Sequence, residues 1–262
     1  MLEAKQIHNL VASNFGPVAE AYATSLGHAN KEALAELVEL VDPKPTDELL
    51  DIATGAGNVA LAFAPRVARA VAFDLTPAML DQTLKTARER GLTNVEVVQG
   101  MAEDMPFEDA SFDIVTVRLA PHHYADIRRG VHEMARVVRP GGKVLIVDTT
   151  VPEDDTLDKE INEIEWIRDH SHVRNYRVSQ WQEMVESAGL KVRSVRIHFY
   201  TEGFEMDFDA WVKRIRTPEE DVQELRRRLR SASPELTEAI KLVLAGDEIK
   251  FVWPQMTMLA EA

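Results

Sequence analysis

The segment Leu49-Leu-Asp-Ile-Ala-Thr-Gly-Ala-Gly57 is an apolar run that carries an acidic residue, Asp51, and then breaks into a glycine turn ahead of a helix-like stretch. Gly55 and Gly57 let a ligand approach the backbone closely. Further on, a second apolar run, Ala70-Val-Ala-Phe-Asp74, ends in a carboxylate. In a strand-turn-helix-strand unit that carboxylate sits over a ribose and can accept from both sugar hydroxyls, so an adenosine moiety is the expected ligand. Gly55-x-Gly57-x-x-Ala60 also satisfies the dinucleotide fingerprint, which keeps a nicotinamide enzyme under consideration. Against it, Asp51 places negative charge where a pyrophosphate would pass, and the turn offers no lysine or arginine. A sulfonium with an ammonium group tolerates these carboxylates better, and the charges favour S-adenosylmethionine.

A second chemical segment, Arg118-Leu-Ala-Pro-His122-His123-Tyr124, follows a predicted strand directly. An imidazole there is suited to remove a proton from a phenol or an acidic carbon. The alternative is that one or both histidines cap the next helix or bond to backbone. An adjacent pair in a turn does not generally point the same way. Arg118 either contacts a ligand carboxylate, on the cofactor or an acidic acceptor, or forms a structural salt bridge. A metal held by His122 and His123 with Asp126, His170 or His172 is not expected, because histidine ligands usually share one helix or strand face.

These residues need elements to hold them. Apolar positions at three- and four-residue spacing (Ile7, Leu10, Val11, then Leu34, Leu37, Val38, Val41) predict helices over 5–41, ended by Asp42-Pro-Lys-Pro45. Predicted strands at 49–53, 69–74, 94–99, 112–118 and 142–148 alternate with helices, as in a parallel sheet with crossover helices. Thr76-Pro77 starts one helix and Gly91 ends it. Pro140-Gly141-Gly142 predicts a tight turn. Beyond 150 the pattern predicts helices at 155–169 and 179–188, a strand at 191–200, helices through 207–245, and a final strand at 249–259. Pro254 would place that last strand at an edge or a bulge.

Composition narrows the class. At 262 residues, with 45% hydrophobic and 28% charged, the chain is long enough for one α/β core with additions. No run approaches the roughly 20 apolar residues of a membrane span, and a cytoplasmic location is expected. With no cysteine, disulfides and thiolate chemistry are out. A net charge of −14 argues against a nucleic-acid partner.

In order and spacing, Leu50-Asp-Ile-Ala-Thr-Gly-Ala-Gly57, Asp74-Leu-Thr-Pro-Ala-Met-Leu80, Gly100-Met-Ala-Glu-Asp-Met-Pro-Phe107, Ser111-Phe-Asp-Ile-Val115 and Glu133-Met-Ala-Arg-Val-Val-Arg-Pro-Gly-Gly142 resemble motifs of the class I S-adenosylmethionine-dependent methyltransferases. The likeness is to their ubiquinone/menaquinone-methyltransferase-like small-molecule group, and it covers nearly the whole chain. It implies a Rossmann-like α/β fold: a seven-stranded, mostly parallel sheet with helices on both faces and an antiparallel last strand. N-terminal helices, the helix at 155–170 and a helical insertion between the last two strands would roof the site. One domain, 1–262, is expected, with a lead-in (1–45), a cofactor core (46–150) and an acceptor side (151–262).

By that resemblance Asp51, Ala53, Gly55 and Gly57 shape the methionine pocket and Asp74 holds the ribose. Leu75 and Met79 pack near the adenosine, and Ala102 and Glu103 border the adenine. Two departures stand out: Ala53 replaces a usual glycine, and Met101 stands where an aspartate often receives the adenine amino group. Tyr22, with Phe15 and His28, would line the methionine end or else pack in the core. Trp166, Trp181, Trp211 and Trp253 are expected as core or edge aromatics, Trp166 alternatively as part of the roof. The implied activity is methyl transfer from S-adenosylmethionine to an oxygen or carbon of a small hydrophobic or aromatic acceptor, with His123 or His122 as base. The alternatives are a non-catalytic S-adenosylmethionine-binding partner protein and a nicotinamide-dependent oxidoreductase. A homodimer through the added helices is a further expectation.

Overall fold

The structure is a computed structural model that describes residues 3–18, 30–198 and 206–262. Its strands are β1 (Glu48–Ile52), β2 (Arg69–Asp74), β3 (Val95–Gln99), β4 (Phe112–Arg118), β5 (Val138–Val151), β6 (Tyr176–Arg177), β7 (Lys191–His198), β8 (Met206–Asp207), β9 (Val243–Ala245), β10 (Glu248–Phe251) and β11 (Gln255–Glu261). The main helices are α1 (Ala4–Phe15), α2 (Lys31–Val41), α3 (Asn58–Phe63), α4 (Pro77–Glu89), α5 (Ile127–Val137), α6 (Asp155–Arg168) and α7 (Val178–Ser187), followed by α8 (Phe208–Arg214), α9 (Glu219–Arg230) and α10 (Pro234–Ala239).

The main sheet runs β3-β2-β1-β4-β5-β11-β7, with β6 paired to part of β5. β1 to β5 are mutually parallel, and β11 is antiparallel to both its neighbours. Adjacent apolar residues explain why both faces carry helices: Leu50 and Ile52 pack toward α5 and α7, while Leu49 packs toward α2 and α3. Strands buried on both faces read as unbroken apolar runs. Their carboxyl ends are left uncovered by these helices, and that edge carries the site. Among the described residues no helix is long and apolar enough to cross a membrane.

Three expectations change. The predicted strand 249–259 is two strands: β10 lies in a separate three-stranded antiparallel sheet, β8-β10-β9, and β11 lies in the main one. Pro254 sits between them, where its missing N–H costs nothing and its carbonyl accepts from the Thr150 N–H at 2.9 Å. Residues 207–245 are not helical throughout; α8, α9 and α10 are followed by β9. Pro140-Gly141-Gly142 is absorbed into β5 as an irregularity, across which the register with β4 jumps from Phe112↔Val138 to Ile114↔Lys143. A glycine is required at 142, where a Cβ would come within 2.8 Å of the Asp113 carbonyl oxygen.

The insertion also packs differently from a roof. Trp211, Leu225, Leu229, Phe251 and Trp253 form a core of their own with Ile161 and Ile164 of α6. Trp181 is buried in the main core, and Trp166 is half exposed, stacked on His170 at 4.7 Å.

Candidate active site

The turn after β1 is built by buried polar contacts. Asp51 is fully buried and faces the turn from behind: it accepts from Thr116 Oγ1 at 2.8 Å, from the Ala60 N–H at 3.1 Å and from the Thr54 hydroxyl. Burial outweighs these bonds and lifts its carboxyl to about 6. The backbone then turns through left-handed conformations at Ala53 (φ 50°), Gly55 (φ 55°) and Gly57 (φ 82°). An alanine at φ 50° carries strain that a glycine would not. Gly57 is needed for a second reason, since a Cβ there would lie 2.5 Å from Thr83 Cγ2 of α4. Gly57→Ala is therefore expected to cost about 2–4 kcal/mol, combining left-handed strain with overpacking. Gly55→Ala, which meets nothing within 4 Å, should cost only the strain. Urea unfolding of the two variants checks the difference.

Asp74 ends β2 beside this turn. One carboxylate oxygen accepts from the Gly55 N–H at 2.8 Å, the other from the Thr76 N–H at 2.8 Å. Each oxygen keeps lone-pair capacity for another donor. Burial raises the Asp74 carboxyl above its ordinary value, against the pull of those bonds.

A cleft opens here. Ala53, Gly55, Asp74, Leu75, Met79, Met101, Ala102, Glu103, Arg118 and His123 all line it. Asp51, Gly57 and His122 do not; they stand behind its wall. The negative charge expected in the ligand's path is thus that of Asp74 and Glu103, with Asp51 acting on the shape of the turn. Tyr22 and His28 lie outside the described residues. No described residue of the 207–245 insertion lines the cleft; its roof is α1, through His8, Val11 and Phe15. His8 also approaches Glu103 Oε1 at 3.4 Å, and Glu103 accepts from the Ala125 N–H at 2.9 Å.

The sequence reading does not single out His8, Val11, Asn58, Leu119 or Tyr124, which also line the cleft. A signal existed for some: 8, 11 and 15 share a helical face, and Asn58 directly follows the glycine turn at the start of a helix. Tyr124 had none. Its ring packs against Gly130, its buried hydroxyl has no partner among the described residues, and burial holds it well above the ordinary phenol value.

Beyond β4 the chain reverses at Leu119 (φ 52°) and enters a short turn at Pro121–His123 that separates the two histidines. His122 turns inward: its N–H and its Nδ1 bond the buried Asp148 carboxylate at 3.0 and 2.6 Å. Burial alone would favour neutral His122, but the charge and hydrogen bond of Asp148 raise it above the ordinary imidazole value. His123 turns to the cleft and meets Phe15 edge-on at 5.2 Å. Burial, then the neighbouring His122 charge, depress it to about 4. Its Nδ1 lies 3.0 Å from the Ser171 carbonyl oxygen. A carbonyl only accepts, so the proton sits on Nδ1 and the Nε2 lone pair is left on the opposite side of the ring. Among the described residues no group of three or more histidines and carboxylates is placed to hold a metal ion.

The cleft suits an adenosyl sulfonium. Asp74 offers two carboxylate oxygens at the end of β2, the turn exposes backbone, and apolar side chains flank it.

Known proteins agree with this geometry. Residues 50–146 match the methyltransferase domain family. An uncharacterized methyltransferase of Bacillus subtilis, YcgJ, is 36% identical over 239 residues, covering 90% of this chain and 93% of that protein. Its crystal structure superposes with a TM-score of 0.83 over 88% of this chain and 97% of that one. The ubiquinone/menaquinone biosynthesis C-methyltransferase UbiE of Idiomarina loihiensis is 36% identical over 116 residues, 43% of this chain and 46% of that enzyme. The motifs, the cleft and these relatives together place the chain in the class I S-adenosylmethionine-dependent methyltransferases, as a relative of UbiE.

Proposed function

We propose that this methyltransferase acts on a small, largely apolar acceptor that brings an acidic proton of its own, a phenol, an enol or an activated carbon, and that His123 takes that proton. The observation that carries the proposal is the position and tautomer of His123: it lines the cleft with Nδ1–H committed to Ser171. Bound in the cleft, S-adenosylmethionine would supply an electrophilic methyl group. Asp74 would hold the ribose hydroxyls, Met101 and Ala102 would flank the adenine, and Arg118 would meet a carboxylate of the cofactor or the acceptor. α1 covers the cleft with Val11 and Phe15, which limits water at the reacting centre.

The depressed value of His123, about 4, bounds the acceptor. The imidazole is free to accept a proton throughout the neutral range, yet it is a weak base. An alkyl alcohol lies too far from it in acidity for efficient transfer, whereas a phenol or enol is far closer. Transfer of a labelled methyl group to a panel of phenols, β-dicarbonyl compounds, alkyl alcohols and amines tests this. Phenols or dicarbonyls should be methylated, with kcat flat from about pH 5 to neutrality, since the base is already deprotonated there. Methylation confined to alcohols or amines overturns the acceptor class, and a rate that rises through about pH 6.5 would point to an unperturbed histidine.

A further inference from the structure

The loop after α6, Asp169 to Arg174, is stitched to the histidine turn: the Val173 and Arg174 N–H groups donate to the His122 carbonyl at 2.8 and 3.1 Å. Within it Asp169 is almost wholly buried at the C-cap of α6. Desolvation and the negative end of the helix dipole both oppose a carboxylate there, yet the neighbouring His123 and the Ser171 hydrogen bonds hold it below the ordinary carboxyl value. Three donors converge on its Oδ1: the Ser171 hydroxyl at 2.6 Å, the Ser171 N–H at 2.9 Å and Asn14 Nδ2 of α1 at 3.1 Å. Ser171 is the residue whose carbonyl receives His123 Nδ1–H.

From this geometry we infer that Asp169 is a positioning residue for methyl transfer: it fixes Ser171 so that its carbonyl sets the His123 tautomer, and its charge balances the imidazolium formed when His123 accepts the acceptor's proton. The inference rests on His123 being the base. The proton would move from the acceptor oxygen or carbon to His123 Nε2 and the electron pair it leaves would form the bond to the methyl carbon, as the methyl–sulfur bond breaks and its pair returns to sulfur, the leaving group being the neutral thioether S-adenosylhomocysteine; Asp169 itself gains no proton. The other charged groups around His123 act in both directions. His122 opposes a cation on this ring and Asp148 favours one, while the buried His172, 6.4 Å from the His123 ring, is held neutral by burial first. Asp169 approaches the ring through a single intervening residue, and Asn14 makes its placement depend on α1 being docked.

Asp169→Asn is the test, because the amide oxygen can still accept at the Oδ1 position while the negative charge is removed. His123 would be followed by NMR of the histidine ring carbons, assigned with His123→Gln. The expected result is a fall of about one unit in the His123 titration midpoint and a loss of about tenfold in kcat, with KM for S-adenosylmethionine unchanged. Ser171→Ala, which removes one donor and keeps the carbonyl, should shift the midpoint the same way by less. An unchanged or raised midpoint in Asp169→Asn overturns the inference. Full activity in His123→Gln would instead sink the base assignment, and the titration would still read the coupling between Asp169 and His123.

Discussion

Replacing His123 by glutamine is expected to lower kcat by about 10²–10⁴-fold, the usual contribution of a positioned general base. Glutamine is suited to this test because it removes the titrating ring nitrogens and keeps a polar side chain of similar length facing the cleft. Cofactor binding should change little, since the ribose carboxylate and the glycine turn are untouched. Calorimetric titration with S-adenosylhomocysteine and steady-state kinetics on a methylated phenol or dicarbonyl separate the two effects. A kcat within threefold of the parent would remove His123 from the chemistry. There is also a stability consequence. His123 is depressed from 6.5 to about 4 in the fold, so the unfolded chain binds more protons between those values. Its contribution to stability is complete above about pH 6.5 and is lost as pH falls toward 4, and His123→Gln should therefore flatten the acid limb of the stability curve.

Asp74→Ala is expected to weaken S-adenosylhomocysteine about 10²–10⁴-fold. Hydrogen bonds to a charged group contribute about 1.5–3 kcal/mol each, and two ribose hydroxyls would lose theirs. The same substitution strips the Gly55 and Thr76 N–H groups of the partners they reach at 2.8 Å, which loosens the turn. Asp74→Asn separates the two losses, because it keeps the steric frame and one acceptor oxygen. Its affinity should fall between those of Asp74→Ala and the parent, as read by calorimetry. Equal affinity in all three proteins would place the nucleoside elsewhere in the cleft.

Much of the cofactor side was legible because it is local. The run from Leu49 to Gly57, and Asp74 at the end of the next strand, lie within one strand-turn-helix-strand unit whose geometry follows from chain direction and glycine conformation. Strand and helix order over 48–151 followed for the same reason: apolar runs buried on both faces are a sequence-level signal. The motif positions did not reveal which way each side chain faces. Asp51 and Gly57 share a motif with Gly55 yet stand behind the wall, because Thr116 of β4 and Thr83 of α4 take up their faces.

An α/β core directed at adenosine, with a histidine pair just after its fourth strand, is written locally in the chain. Which histidine faces the cleft depends on the tertiary fold. His122 and His123 are chemically identical neighbours, and nothing local distinguishes them; Asp148, 26 residues on, claims one, and Ser171, 48 residues on, fixes the other. The same holds for the roof. α1 rather than the 207–245 insertion covers the cleft, because the insertion's Trp211, Leu225 and Leu229 are buried against α6 and Phe251 of the small sheet. Such choices depend on contacts between distant segments, and periodicity reports only that a face is apolar, never what will cover it.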